Sequence, residues 1–195
     1  AIDCLPADKL EHTIDSVLRQ SFSDWELIVV DDGSTDDSPR LLPERYGSRI
    51  RYVYQSNQGE SVARNHGISL ATGQYIAFLD SDDLWHPEKL QRQVEILDAY
   101  PDVGLVSTQA HWINYEGCKL KMSPHGHDLA TEIITWEDLV LDNVVAGGGS
   151  AAIVRRACLE QTGGFDPRIR FGEEWDLWVR IARHFPVRQI AEPLI

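Results

Sequence analysis

Residues 25–34 read WELIVVDDGS, and residues 75–83 read YIAFLDSDD. Each stretch is an apolar run that ends abruptly in acidic residues, which is typical of a buried strand followed by a turn. Apolar residues at helical spacing occupy residues 9–20, residues 61–71 and the segment after Pro87. The first half of the chain therefore predicts alternating strands and helices, and hence an α/β fold with a mainly parallel central sheet flanked by helices.

The second half of the chain is less regular. Its patterns predict strands over residues 103–107, 112–115 and 151–154, and helices over 136–141 and 173–184. No repeat, low-complexity tract or linker interrupts the chain. We therefore expect one continuous domain.

Charge and composition exclude several classes of protein. The chain has 18 Lys and Arg against 31 Asp and Glu, a formal net charge of −13, which argues against binding to nucleic acid or to an anionic membrane surface. Cys4, Cys118 and Cys158 show no metal-ligand spacing and are expected to be free thiols. With no transmembrane segment and no signal peptide in the pattern, we expect a soluble, cytoplasmic protein.

Two acidic clusters follow two of the predicted strands, and open α/β sheets bind ligands at the carboxyl ends of their strands. Asp80 and Asp82 could hold one divalent cation together with phosphate oxygens of a ligand; alternatively they solubilise a turn and cap the next helix. A carboxylate of Asp31 or Asp32 could accept a hydrogen bond from a nucleobase. The alternative is an Asx turn with Gly33 at positive φ.

Three further segments are candidates for function. Arg64, downstream of Asn57-Gln58-Gly59, could face a phosphate or a base carbonyl, or could be a surface residue. The glycines at 147–149 could let the backbone approach a ligand or form a mobile loop, but they are not part of a P-loop. The acids of 173–176 could supply a general base, with Trp175 or Trp178 as a platform for a sugar ring, or could simply complement a helix dipole.

In order and spacing, these segments resemble a family 2 glycosyltransferase of the GT-A fold. The matching stretches are residues 13–21, 26–36, 57–68, 73–83, 163–166 and 172–180. The ordered set is specific, whereas each piece alone is common.

The resemblance implies a nucleotide-sugar donor, usually a UDP-sugar, and a divalent metal, Mg²⁺ or Mn²⁺. It implies transfer to an acceptor hydroxyl with inversion at the anomeric carbon, in the synthesis of a cell-surface glycan, a glycolipid or a glycoprotein. A peripheral position at the inner face of the membrane is compatible with this role. The absence of a QxxRW motif argues against a processive polysaccharide synthase.

Residue roles follow from the resemblance by position. Asp32 corresponds to the residue that binds uracil, Arg64 to a base-contacting cation and Asp82, with Asp80, to the metal site. The general base is expected at the second acid of the 173–174 pair, Glu174. The implied donor side also includes Asp31, Gly33, Asn57, Gly59, Asp80 and Ser81, and the implied sugar and acceptor side includes Trp175, Gly148 and Gly149.

Two departures from the family pattern bear on these roles. Relatives usually carry Asp where this chain has Glu174, which is one methylene longer, so Glu173 and Asp176 remain alternative bases. The family's first strand is not legible in residues 1–8. Within residues 1–195 we expect a nucleotide-binding half over about 1–100 and an acceptor-side half over 101–195, ending before the helices that cover the acceptor side in many relatives.

Two rival functions also account for parts of this pattern. A catalytically impaired module would bind UDP and Mn²⁺ without turnover, and the altered base position favours it. A nucleotidyltransferase would share the α/β alternation and the metal carboxylates, but it would normally show a Gly-rich basic phosphate loop near its first strand. No such loop is visible in this sequence.

Overall fold

A computed structural model describes residues 7–113 and 132–195. Within these ranges the helices are α1 (Ala7–Leu18), α2 (Ser38–Tyr46), α3 (Glu60–Leu70), α4 (Lys89–Ala99), α5 (Trp136–Leu141), α6 (Gly148–Ala151), α7 (Arg156–Thr162) and α8 (Glu173–Ala182). The strands are β1 (Ile28–Asp32), β2 (Arg51–Gln55), β3 (Tyr75–Ala77), β4 (Leu105–Gln109), β5 (Ile133–Ile134), β6 (Ile153–Arg155) and β7 (Val187–Pro193). A 3-10 turn covers Gly47–Arg49. Cys4, Cys118, the histidines at 125 and 127 and the second half of the predicted strand 112–115 lie outside the described residues.

The first half confirms the predicted alternation of strands and helices. β1 pairs with β2 in parallel, with Ile28 opposite Arg51. A helix connects each strand to the next, so the α/β class is confirmed. The Pro-containing segment 38–46 forms a helix of nine residues: Pro39 lies in its first turn, where the missing N–H is not needed, and Pro43 lies inside the helix without ending it.

The prediction of a mainly parallel sheet is wrong, because the larger sheet is mixed. Its five strands lie in the order β3-β6-β4-β7-β5. β6 runs antiparallel to both of its neighbours, β5 runs antiparallel to β7, and β4 and β7 are parallel. Parallel neighbours are expected where a helix connects consecutive strands. The regular alternation of strands and helices stops after α4. The strands of the second half enter the sheet from both directions.

Helix α8 anchors the second half of the chain to this sheet. Its residues Leu177, Trp178 and Ile181 are fully buried in a cluster that includes Leu105 of β4 and Val154 of β6. Burying an aromatic or aliphatic side chain of this size stabilises a fold by roughly 1.5–3 kcal/mol. This packing fixes the first turn of α8, where Glu173 and Glu174 lie, relative to the sheet.

A largely apolar cavity of about 720 Å³ separates the two sheets. Residues 28–30 of β1 form part of one wall, residues 75–77 of β3 form part of another, and α1 and α3 also contribute to the lining. Within the described residues, β1 pairs only with β2 and β3 pairs only with β6. Among the described strands, none pairs with the other edge of β1 or of β3, and both strands line this apolar space.

Lys89, the first residue of α4, is buried completely. Its Nζ donates to Gln93 Oε1 at 2.8 Å and lies 4.1 Å from the centroid of the Trp85 ring. Among the ion pairs of the described residues, none involves Lys89. Burial lowers the pKa of this amine to about 7.

Replacing Lys89 by methionine is expected to remove a pH-dependent part of the stability. In the folded chain the pKa of Lys89 lies below its ordinary value of 10.5, so between about pH 7 and 10.5 the unfolded chain binds more protons and stability rises with pH. Below about pH 7 the Lys89 amine is protonated in the folded chain as well, so a charge is buried and the gain in the free energy of unfolding is lost. Urea unfolding from pH 6 to 9.5 should show a rise of about 3 kcal/mol in the wild type relative to Lys89→Met.

The exposed Arg92 of the same helix provides a matched control. It pairs with Glu192 at the surface, and Arg92→Met should leave the pH dependence as in the wild type. If the free energy of unfolding changes with pH in the same way in the wild type and in Lys89→Met, the amine stays protonated in the core.

Candidate active site

The acidic turn, residues 80–83, follows β3 and is held at its first residue. The Asp80 amide donates to Ser150 Oγ at 2.9 Å, and the Asp83 amide closes the turn onto the Asp80 carbonyl at 3.2 Å. Burial raises the pKa of Asp83 to about 6; a hydrogen bond from Ser150 opposes this shift, and the charges of Asp80 and Asp82 reinforce it. Asp82 is exposed. The turn therefore places the carboxyl groups of Asp80 and Asp83 beside the accessible carboxylate of Asp82.

Arg64, on α3, joins this turn to α8. Its Nη2 donates to Asp80 Oδ1 at 2.8 Å, and its Nη1 donates to Glu173 Oε1 at 2.8 Å. Glu174 Oε1 lies 3.1 Å from Nη2, and Glu60 Oε2 lies 3.3 Å from Nη1. The Arg64 side chain is 9% exposed, so the interpretation as a surface arginine is wrong. Burial alone would lower its pKa, but Asp80 and Glu174 raise it above the ordinary value.

Glu174 carries a buried carboxylate oxygen that accepts no hydrogen bond from the described residues. This oxygen, Oε1, is close to Arg64 but lacks hydrogen-bond geometry with it. Burial raises the pKa of Glu174 to about 7, the charge of Asp80 adds to the shift, and Arg64 opposes it. A carboxylate with a pKa near neutrality and an open acceptor site has the properties of a general base.

The glycine segment 147–149 packs directly against this carboxylate. A Cβ on Gly148 would lie 2.6 Å from Glu174 Oε2, and a Cβ on Gly149 would lie 2.5 Å from Oε1. A side chain on either glycine would displace the Glu174 carboxylate, so the two glycines let the backbone approach it closely. The structure also corrects the local prediction: residues 148–151 form the short helix α6, and the strand predicted from 151 begins at Ile153.

The other acids of α8 lie in different surroundings. Glu173 is nearly buried and is bound by Arg64. Asp176 Oδ2 accepts from Arg180 at 2.7 and 2.9 Å, so its carboxylate belongs to the side of α8 that Arg180 ties to the 162–164 turn. The Trp175 indole donates to the Leu139 carbonyl at 2.5 Å, and this bond fixes the ring against α5. The structure thus groups Glu173 and Glu174 with Arg64, whereas Asp176 has a separate partner.

The acidic residues at the end of β1 are buried, and described residues bind both of them. Asp31 Oδ1 accepts from the Ser34 amide at 2.7 Å, with Gly33 at φ 89°, and Oδ2 accepts from the Tyr52 hydroxyl. This is the Asx turn of the alternative interpretation. Asp32 accepts from Gln55 Nε2 at 2.7 Å and from the amides of Gln58 and Gly59 at 2.9 and 2.8 Å.

Asp32 therefore shapes the loop that precedes α3. A Cβ on Gly33 would lie 2.7 Å from the Asn57 amide nitrogen, so the two strand-end loops are in contact. A contact between Asp32 and a nucleobase remains a prediction. Arg64, on the helix that begins after Gly59, connects this half of the candidate site to the acidic turn.

Sequence reasoning missed two participants. Glu60 lies one helical turn before Arg64, and this four-residue spacing was the available signal for their ion pair. Ser150 follows the glycine segment and accepts the Asp80 amide, a contact across 70 positions that no local pattern reveals. Ser81, predicted on the donor side, is half-buried, and its carbonyl accepts from Thr13.

A second cavity, of about 920 Å³, opens beside the acidic turn. Its lining includes Asp80, Asp82, Gly148, Trp112 and Asn143. Carboxylates, a glycine backbone and an indole thus border one space, which is large enough for a small ligand.

Comparison with known sequences decides the family. A family model described as "Glycosyl transferase family 2" matches residues 4–163. The chain belongs to this family. A relative from Bacillus subtilis (strain 168), "Putative teichuronic acid biosynthesis glycosyltransferase TuaG", is 36% identical over 180 residues, which are 90% of this chain and 68% of the relative. An "Uncharacterized glycosyltransferase alr2836" from a Nostoc species is 46% identical over 100 residues, 50% of this chain and 31% of that protein.

Solved structures show the same fold. S. aureus TarS 1–349 in complex with UDP matches with a TM-score of 0.77 and 19% identity, over 96% of this glycosyltransferase chain and 55% of that one. The mannosyltransferase PcManGT from Pyrobaculum calidifontis, in complex with GDP-Man and Mn²⁺, matches with a TM-score of 0.67 and 24% identity, over 98% of this chain and 52% of that one. These matches confirm the GT-A architecture. Within the described residues, no helix is both long and apolar enough to span a bilayer.

Proposed function

We propose that this glycosyltransferase moves one sugar from a UDP-sugar to an acceptor hydroxyl, with inversion and with a divalent cation, in cell-surface glycan synthesis. The observation that carries the proposal is the buried, open oxygen of Glu174 beside Arg64 and the acidic turn. UDP and UDP-GlcNAc in TarS structures support a nucleotide-sugar donor. The teichuronic acid named for TuaG supports a cell-surface product.

The residues of the acidic turn fit a divalent cation. Among the described residues no group of three or more His, Cys, Asp or Glu side chains is arranged to enclose a metal. Mg²⁺ and Mn²⁺ in nucleotide sites need less, since one or two carboxylates and the substrate phosphates suffice. Asp82 is exposed on the second cavity and Asp80 lies beside it, so these two would hold the ion. When bound, the cation would stabilise negative charge on the departing diphosphate.

The chain's own residues supply the remaining chemistry. The acceptor oxygen would attack the anomeric carbon as the bond from that carbon to the diphosphate oxygen breaks, and the bonding electrons leave with the nucleoside diphosphate. Glu174 Oε1 would take the acceptor proton, and attack by the acceptor oxygen from the face opposite the diphosphate gives inversion. Arg64 would keep Glu173, Glu174 and Asp80 together despite their like charges.

Calorimetric titration of the 195-residue chain with UDP, GDP, CDP and ADP, with and without Mn²⁺, tests the proposal. UDP should bind most tightly and only with Mn²⁺, and Asp82→Ala should weaken it about 100-fold. Asp102→Ala removes an exposed carboxylate after α4 and serves as the control, with unchanged UDP binding expected. Preference for GDP would refute the UDP assignment, and no Mn²⁺-dependent binding to any of the four nucleotides would refute the proposal.

A further inference from the structure

Helix α1 and the residues just after it bury polar side chains where a helix of this kind would normally bury apolar ones. Thr13, Ser16 and Gln20 are 4%, 2% and 9% exposed. Their spacing of three and four residues places them on one side of the helix axis. Buried polar groups destabilise a fold unless they are hydrogen-bonded, so their partners indicate what this face does.

All three side chains bind the backbone of the acidic turn or of the residues that follow it. The Thr13 hydroxyl lies 2.9 Å from the carbonyl oxygens of both Ser81 and Asp83, which share its single O–H donor. Ser16 Oγ accepts from the Trp85 amide at 3.1 Å. Thr13 therefore contacts the carbonyls on either side of Asp82.

Gln20 extends the same contact toward α4. Its Nε2 donates to the His86 carbonyl at 2.8 Å, and its Oε1 accepts from the Leu90 amide at 3.0 Å. The Ser21 amide adds a bond to the Pro87 carbonyl at 2.8 Å. The stretch from the acidic turn to α4 is thus docked along the polar face of α1.

Ser150 holds the turn from another side. Its hydroxyl accepts the Asp80 amide at 2.9 Å, and its carbonyl accepts the Trp85 indole N–H at 2.9 Å. The backbone on each side of Asp82 is therefore fixed, whereas the Asp82 side chain is exposed.

We propose that Thr13, supported by Ser16 and Gln20, is a positioning residue that holds the acidic turn in its cation-binding shape. The inference rests on the proposed metal-dependent function. Three carboxyl groups within four residues repel one another, and a turn free to relax would move them apart. Mg²⁺-type ions tolerate little deviation in ligand geometry, so a turn shaped in advance binds them more tightly.

Mn²⁺ binding in the presence of UDP, followed by the electron paramagnetic resonance of free Mn²⁺, tests this role. Thr13→Val keeps the shape of the side chain but removes the donor, and it should weaken Mn²⁺ binding about 10-fold. Thr13→Ser keeps the hydroxyl and should bind within about twofold of the wild type. Thr162→Val is the matched control, because the Thr162 hydroxyl donates to the Cys158 carbonyl in α7, in a different part of the fold.

Thermal unfolding of each variant is measured first, and Mn²⁺ binding is then compared at a temperature at which all variants are folded. If Thr13→Val is too unstable, Ser16→Ala removes the acceptor for the Trp85 amide together with the bond that Ser16 Oγ donates to the Thr13 carbonyl, and it should weaken Mn²⁺ binding about threefold. A folded Thr13→Val that binds Mn²⁺ like the wild type would overturn the positioning role while leaving the proposed function intact. A wild-type chain that binds UDP but not Mn²⁺ would overturn both.

Discussion

Arg64→Met is expected to lower the free energy of unfolding at pH 7 by about 3–5 kcal/mol, the cost of removing one partner from a buried ionic group. Arg64 contacts Asp80, Glu173 and Glu174 at 3.1 Å or less, and the side chains of Glu173 and Glu174 are only 11% and 16% exposed. Without the guanidinium these carboxylates would face one another with no counter-charge. Chemical denaturation at pH 7 measures the loss.

The loss should shrink in acid, and its sign follows from linkage. Glu174 already has a pKa raised to about 7 against an ordinary value of 4.5, and Arg64 opposes that shift. Removing Arg64 raises the folded-state pKa further, so the variant keeps its stability near pH 4.5 and loses it as pH rises through the folded value. Arg40→Met, which breaks an exposed pair with Glu44, is the control and should change stability by less than about 1 kcal/mol. An equally small loss in Arg64→Met would refute the ionic role.

Glu174→Gln is expected to reduce sugar transfer about 1,000-fold while UDP and Mn²⁺ binding stays within about threefold of the wild type. The amide is close in size to the carboxylate but cannot accept the acceptor proton. In the wild type, kcat/KM should fall as pH drops below about 7, because the protonated form of Glu174 is inactive. Both the loss of transfer and the pH dependence can be measured by following UDP release, with a donor and an acceptor for which the wild type shows turnover.

Asp176→Asn is the matched control for this experiment. It changes an acid in the same helical turn whose carboxylate binds Arg180, and transfer should fall by less than about threefold. A larger loss in Asp176→Asn than in Glu174→Gln would assign the base to Asp176. If the wild type binds UDP and Mn²⁺ but transfers no sugar to any acceptor tried, the chain is a catalytically impaired module that binds the nucleotide and the metal.

The sequence predicted the strands that carry function and missed how they are assembled. β1 and β3 were legible because each apolar run ends in acids, but β1 continues through Asp31 and Asp32, which were predicted to lie in the turn, and β3 ends at Ala77. The direction of β6 was not legible, since a three-residue strand carries no information about its neighbours. Pairing depends on contacts between Tyr75 and Arg155, 80 positions apart, that only the folded chain defines.

The candidate site, too, was only partly predictable from the sequence. The motif predicted Arg64 and the 173–174 pair as separate features, and only the fold shows that a single guanidinium joins them. The carboxylate of Asp32 was predicted to face a ligand, but it is 1% exposed and accepts three hydrogen bonds from its own chain. A buried acid and an exposed one look alike in sequence, because burial depends on segments far along the chain.

The cavity between β1 and β3 is lined by both of the strands that lead into the candidate site. Asp32 closes one of these strands and Asp80 follows the other, so the width of the gap sets how far apart the two halves of the site lie. The apolar side chains that line this gap therefore bear on a binding site that most of them never touch.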